Sequence, residues 1–409
     1  MHAIHTIIMA SAALIMMGPV RAADLEVTHW WTSGGEAAAV AELAKAFNES
    51  EHNWVDGAIA GSGGTARPII ISRILGGDPM GATQLNHGRQ AEELIQAGLL
   101  TDLTEVAEAE GWRDFVYPIS LLDACTYKGR IYCAPVNIHS WQWIWLSHAA
   151  FEQAGVAVPA DWHDFVAAAP ALEAAGLVPL AMGKQGWQQF GAFNVLTVAV
   201  AGVEAWRKVM VDKDADTVRG PAYTAVFEAA AAARDLAAGA HVQDWNLATN
   251  MVITGKAGAQ IMGDWAQGEF QVANQVAGED YSCLPGLGIT EVLDTAGDAF
   301  YFPVVRDADT KAAQLALASL LVSKDVQVAF NLKKGSLPVR GDIDLSAANE
   351  CMRKGLAILA DGNLMPSGEM ALTADTTTQI EDLMAEFWTT NMNAADAQSE
   401  YASIIASAD

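Results

Sequence analysis

Two hydrophobic patterns take turns along the chain, one alternating with period two and one recurring every three to four residues. Residues 25–30 alternate as a strand does, and Thr32-Ser33-Gly34-Gly35 breaks the run. From about Glu36 the apolar positions are Val40, Leu43, Ala44 and Phe47, one face of a helix. The same reading predicts a helix at 67–75, a short strand at 82–85, and a helix at 90–97 stopped by Gly98. A turn and strand are predicted over 127–135. An aromatic strand segment follows over 137–146, with Trp141, Trp143 and Trp145 at period two. Beyond residue 146 alanine-rich helices take over, at 162–175, 193–200 and 221–238. A buried strand at 258–262 ends at Gly263-Asp264-Trp265, and helices are predicted at 311–323, 325–332 and 377–388. Helix outweighs strand, and no tandem repeat appears. The pattern predicts an α/β chain, and 409 residues suit two lobes.

Composition narrows the partners. Hydrophobic residues make up 52% and charged residues 18%, which supplies core material and argues against disorder. A formal charge of -26 repels nucleic acid and anionic lipid, so neither is an expected partner. It also disfavours an anionic ligand unless a local basic pocket exists, and the sequence displays none. Residues 1–22 read as a cleavable export signal: an apolar run over 4–17, a break at Gly18-Pro19, and Val20-Arg21-Ala22 at the cut, after Ala22 or Ala23. The run is too short to span a bilayer, and a buried N-terminal helix is the alternative. The expected product is soluble and periplasmic. That compartment permits disulfides. Cys125 and Cys133 flank a hairpin turn at Lys128-Gly129, which would leave Cys283 with Cys351, but three pairings are open in principle. No spacing resembles a metal site, and no cofactor is expected.

Thirteen tryptophans are many, and several stand beside turn residues. A sugar offers C–H patches on its ring faces and hydroxyls at its rim, which suit indole faces and carboxylates, amides or lysines respectively. That mixture recurs at Trp30, Trp31 and Glu36, at Asn86 and His87, at Asn137 and His139, at Lys184, Gln185 and Trp187, and at Asp264 and Trp265. A single tryptophan is more often core than platform. Trp30-Trp31 differ because neighbours on a strand face opposite ways and a glycine-rich break follows them. In α/β sheets ligands lie beyond the carboxyl ends of strands, near helix N-termini. The stretch from Gly61 to Arg67 lacks a phosphate-loop ending and reads as a tight turn capping a helix. Glu36 and Asp264 are the acids nearest aromatic residues. They read as acceptors for sugar hydroxyls, with glycoside hydrolysis as the competing role. No HExxH and no nucleophile elbow occur, so no enzyme is expected.

Three segments carry a family resemblance: His29-Trp30-Trp31-Thr32-Ser33-Gly34-Gly35-Glu36, then Gly258 through Trp265, and Lys334-Gly335-Ser336-Leu337-Pro338-Val339-Arg340. They resemble the extracellular solute-binding proteins of family 1, receptors of ABC sugar importers, and within them the glucose/mannose type. The resemblance implies a two-lobed periplasmic-binding-protein fold of type II with a hinge and a ligand cleft between the lobes. It implies an N-terminal lobe of 23–135 plus about 285–332 and a C-terminal lobe of 136–284 plus about 333–409. It implies a monomer that delivers sugar to a permease, with Trp30, Trp31, Glu36, Asp264 and Lys334 on the ligand. His87, Asn137, His139, Trp187 and Trp265 complete the candidate set. His87 and the loop Met365-Pro366-Ser367 depart from the glucose pattern, which leaves a disaccharide, a glucoside or another hexose open. A polyol receptor, a receptor serving a sensor, and a periplasmic glycosidase are the alternatives.

Overall fold

The computed structural model describes residues 22–408, so all but the last residue of the predicted export segment lies outside them. Two mixed sheets organise the chain. In the first, the strand order is Asn53–Ala58, Asp24–His29, Ala82–Asn86, Asp298–Tyr301, Cys133–Pro135. The first three are parallel and Asp298–Tyr301 runs against both its neighbours. In the second, the order is Tyr281–Pro285, Trp143–Ser147, Ala257–Ile261, Val178–Leu180. Each sheet has helices against it, so its apolar side chains are withdrawn from water, which is the main driving force for the fold.

The first strand and helix show how sequence sets the local geometry. Leu25 and Val27 of Asp24–His29 are fully buried. Ser33 then caps the helix Gly34–Asn48: its hydroxyl accepts from the Glu36 amide, and Oγ donates to Glu36 Oε2 at 3.1 Å. Leu43 and Phe47 of that helix are fully buried, as its spacing predicts. The strand Asn53–Ala58 has no apolar alternation to announce it, because it is a largely exposed edge strand. The helix predicted at 193–200 is the middle of a longer one, Gly186–Met210, whose first turn reads as a polar loop and whose path breaks at Gly202 (φ 84°).

Three segments pass between the sheets. Val136 to Gln142 leads from Cys133–Pro135 to Trp143–Ser147, and 286–297 returns from Tyr281–Pro285 to Asp298–Tyr301. The third follows the helix Lys324–Lys334. They lie side by side: Ile138 exchanges backbone hydrogen bonds with Leu337 (2.7 and 3.0 Å), and the His139 amide donates to Ala296 (2.9 Å). Near them the helices Gly34–Asn48 and Ala266–Val272 touch through glycines. A Cβ on Gly35 would lie 2.4 Å from the Gly268 carbonyl carbon, so that contact requires glycine.

Disulfides join Cys125 to Cys133 and Cys283 to Cys351. The first closes the hairpin of Thr126–Tyr127 and Arg130–Ile131. The second fastens the helix Glu350–Asp361 to the edge strand of the second sheet.

Candidate functional site

A cleft of about 620 Å³, open solvent included, lies beside the crossing segments. Trp30, Trp31 and Glu36 enter it from the break after the first strand, and Asn86 from the end of a second. Ser62, Gly63, Gly64 and Arg67, the start of the helix Ser62–Leu75, form one rim. His139, Trp141, Ala296 and Asp298 come from the crossings and the strand they feed. Trp187, Trp245 and Trp265 stand on the side of the second sheet, and Lys334 closes one end. The lining thus combines six indoles with charged and amide groups.

Glycines let the indoles lie close to the backbone. A Cβ on Gly263 would be 2.1 Å from Trp265 Cζ3, and one on Gly191 would be 2.3 Å from Trp141 Cη2. Trp141 meets Trp265 edge to face at 4.9 Å and Trp187 at 5.6 Å, so the three brace one another. The Trp187 indole N–H donates to Gln185 Oε1 at 2.8 Å.

The polar centre is His139. Its Nδ1 lies 2.6 Å from Asp264 Oδ1 and its Nε2 2.8 Å from Asp298 Oδ2. Asp264 follows a strand of the second sheet and Asp298 begins a strand of the first, so the imidazole bridges the two sheets. Burial opposes its charge, but the Asp264 and Asp298 carboxylates outweigh burial and lift His139 to about 9. Burial also works to raise Asp298, yet the His139 charge and hydrogen bond prevail and hold it well below the usual carboxylate range. Asp298 is further oriented by Gln84 Nε2 (2.6 Å) and Asn137 Nδ2 (3.1 Å), and Gln84 Oε1 accepts from the Trp30 amide (3.0 Å). At the far end Lys334 Nζ donates to Glu36 Oε1 at 2.9 Å.

The sequence-predicted residues divide into two groups. Trp30, Trp31, Glu36, His139, Trp187, Trp265 and Lys334 line the cleft together. Asn137 and Asp264 stand behind the lining and orient Asp298 and His139. His87 also stands behind it. Burial depresses it to about 4, and both ring nitrogens lack a partner. It packs on Gly297, where a Cβ would lie 2.6 Å from its Cε1. The tryptophan pair is not equivalent. Trp31 is 1% exposed, with Phe300 and Phe330 at 5.7 and 5.2 Å, whereas Trp30 is 8% exposed and lies under the Arg67 guanidinium. Trp31 is chiefly core that reaches the cleft.

Asp298, Arg67, Trp141 and Trp245 also line the cleft, and no local sequence pattern marks them as site residues. The nearest to a signal is Gly297-Asp298 ahead of an apolar run, and Arg67 ends the glycine-rich turn read as structural. That turn is structural, with Gly61 at φ 104°, and it also faces the cleft. No basic pocket was legible in the sequence; the structure places two basic side chains, Arg67 and Lys334, in the lining besides His139.

The family described as bacterial extracellular solute-binding protein matches residues 42–350. A probable sugar-binding periplasmic protein of Brucella melitensis is 36% identical over 363 residues, 87% of this chain and 85% of its own length. One of the same description from Rhizobium meliloti is 37% identical over 361 residues, 87% and 86%. Among solved structures, a chitin oligosaccharide binding protein superposes with a TM-score of 0.77 at 17% identity, over 94% of this chain and 98% of its own. The bacterial solute receptor AcbH does so at 0.77 and 20%, over 93% and 98%. Both are two-lobed folds of this architecture.

Proposed function

The chain belongs to the bacterial extracellular solute-binding proteins, and from that premise we propose that it captures a sugar in the periplasm and delivers it to an ABC permease. The observation that carries the reading is the cleft itself. Six indoles surround a rim of Asp298, His139, Asn86, Lys334 and Arg67, the two chemistries a pyranose presents. Asn86 Oδ1 is buried with no partner, which suits a ligand hydroxyl. The names of the relatives support the ligand class and the compartment.

In this reading a hexose of the glucose or mannose kind, or a glucoside, enters between two lobes. We assign 23–135 with about 285–332 to one lobe and 136–284 with about 333–409 to the other. Closure about the three crossing segments excludes water and strengthens the hydrogen bonds to the ligand. The protein acts as a monomer, and residues 1–22 direct export. Catalysis is disfavoured because the candidate acids are engaged. Glu36 bonds Lys334 and Ser33, and Asp264 bonds His139 and the Ser140 amide.

A thermal-shift screen of the mature chain against hexoses, glucosides and polyols tests the reading. Stabilisation by a sugar is expected; stabilisation by polyols alone moves the ligand class, and none by any sugar sinks the proposal.

A further inference from the structure

Three cations reach the cleft, and their partners differ. His139 lies between Asp264 and Asp298 at 2.6 and 2.8 Å, and Lys334 is paired with Glu36 at 2.9 Å. The Arg67 side chain makes no hydrogen bond or ion pair with any described residue, and its Nε is buried without a partner. This is unusual in a chain with 49 acidic residues and only 23 Lys and Arg. The residue is half-buried, so only Nε is withdrawn from water without an acceptor, and a carboxylate placed against the guanidinium would supply one.

Arg67 also lies against Trp30. Its guanidinium carbon stands 5.5 Å from the Trp30 ring centroid, and a Cβ on Gly63 would lie 2.8 Å from its Nη2. The Trp30 indole on one side and the bare Gly63 backbone on the other leave room for the guanidinium at the rim of the cleft. The same rim is the first turn of a 14-residue helix, with no side chain capping it. Its positive end acts in the same direction as the arginine.

We propose that the captured sugar carries a carboxylate, as a uronate or an aldonate does, and that Arg67 receives it in a bidentate pair. The inference rests on the sugar reading above and narrows it. Asp298, Asn86 and the indoles then take the hydroxyls and the ring face, while the carboxylate lies toward Ser62, Gly63 and Arg67.

The test is calorimetry on the mature chain with glucose, galactose, glucuronate, galacturonate and gluconate. A charge-assisted pair predicts that the preferred acid binds about tenfold to a hundredfold more tightly than its neutral parent. Arg67→Gln should abolish that margin while the unliganded melting temperature shows the variant folded, and Arg67→Lys should keep part of it. If a neutral hexose binds as tightly as its acid, or if Arg67→Gln keeps the margin, the inference is overturned and the sugar reading stands. If neither class binds, the sugar reading fails and the inference falls with it.

Discussion

Lys334 Nζ and Glu36 Oε1 lie 2.9 Å apart in a buried ion pair that spans 298 positions of sequence. It joins the first residues of the helix Gly34–Asn48 to the end of the helix Lys324–Lys334, where the last crossing begins. Because Glu36 also accepts from the Ser33 cap, one carboxylate fixes a helix start and a wall of the cleft together.

Removing one partner leaves a buried charge. Lys334→Met is expected to cost about 3–5 kcal/mol, and Lys334→Met combined with Glu36→Gln should recover much of it. Urea unfolding measures both. A loss under about 1 kcal/mol in the single variant means the pair is hydrated and does not tie the helices.

The two neighbouring tryptophans should respond differently. Trp31→Ala removes a core indole and should cost about 3–5 kcal/mol of stability. Trp30→Ala should cost less stability and weaken sugar binding at least about tenfold, through the lost ring face and the released Arg67. Equal stability losses with unchanged affinity make both residues core.

His139 sets a pH dependence. Its folded pKa of about 9 exceeds the unfolded value near 6.5, so its stabilisation is complete below about pH 6.5 and is lost as pH rises to 9. Unfolding free energy should fall by about 3 kcal/mol across that window in the parent chain. His139→Gln should remove this fall. If the two proteins share one profile, His139 is neutral at pH 7.

The disulfides differ in the loops they close, with separations of 8 and 68 residues. Loop entropy gives about 2.5 kcal/mol for the short loop and about 4 kcal/mol for the long one. Cys283→Ser with Cys351→Ser should therefore lower the melting temperature more than Cys125→Ser with Cys133→Ser. The reverse order means the long loop is already constrained when unfolded.

Local patterns carried the fold further than the site. The strand, glycine break and capped helix around Trp30-Trp31 and Glu36 are written within a dozen residues, and so is the Gly263-Asp264-Trp265 turn. Asp298 is different: its partners Gln84 and Asn137 are 214 and 161 residues away, a separation that no periodicity encodes. Trp31 looked like Trp30 because only Phe300 and Phe330, in distant elements, decide which indole is covered. Arg67 ends a stretch whose local pattern is that of a helix-capping turn, and nothing local tells which way that turn faces.

The central claim is that the cleft around Asp298 holds a sugar, and one calorimetric titration tests it most directly. The chain without residues 1–22 is titrated with the sugar that most raises its melting temperature, beside Asp298→Asn. The account predicts one site per chain with a micromolar or tighter Kd, weakened at least about tenfold by Asp298→Asn, the expected loss for a charge-assisted hydrogen bond. Saturable binding that Asp298→Asn leaves unchanged, or no binding of any sugar, contradicts it.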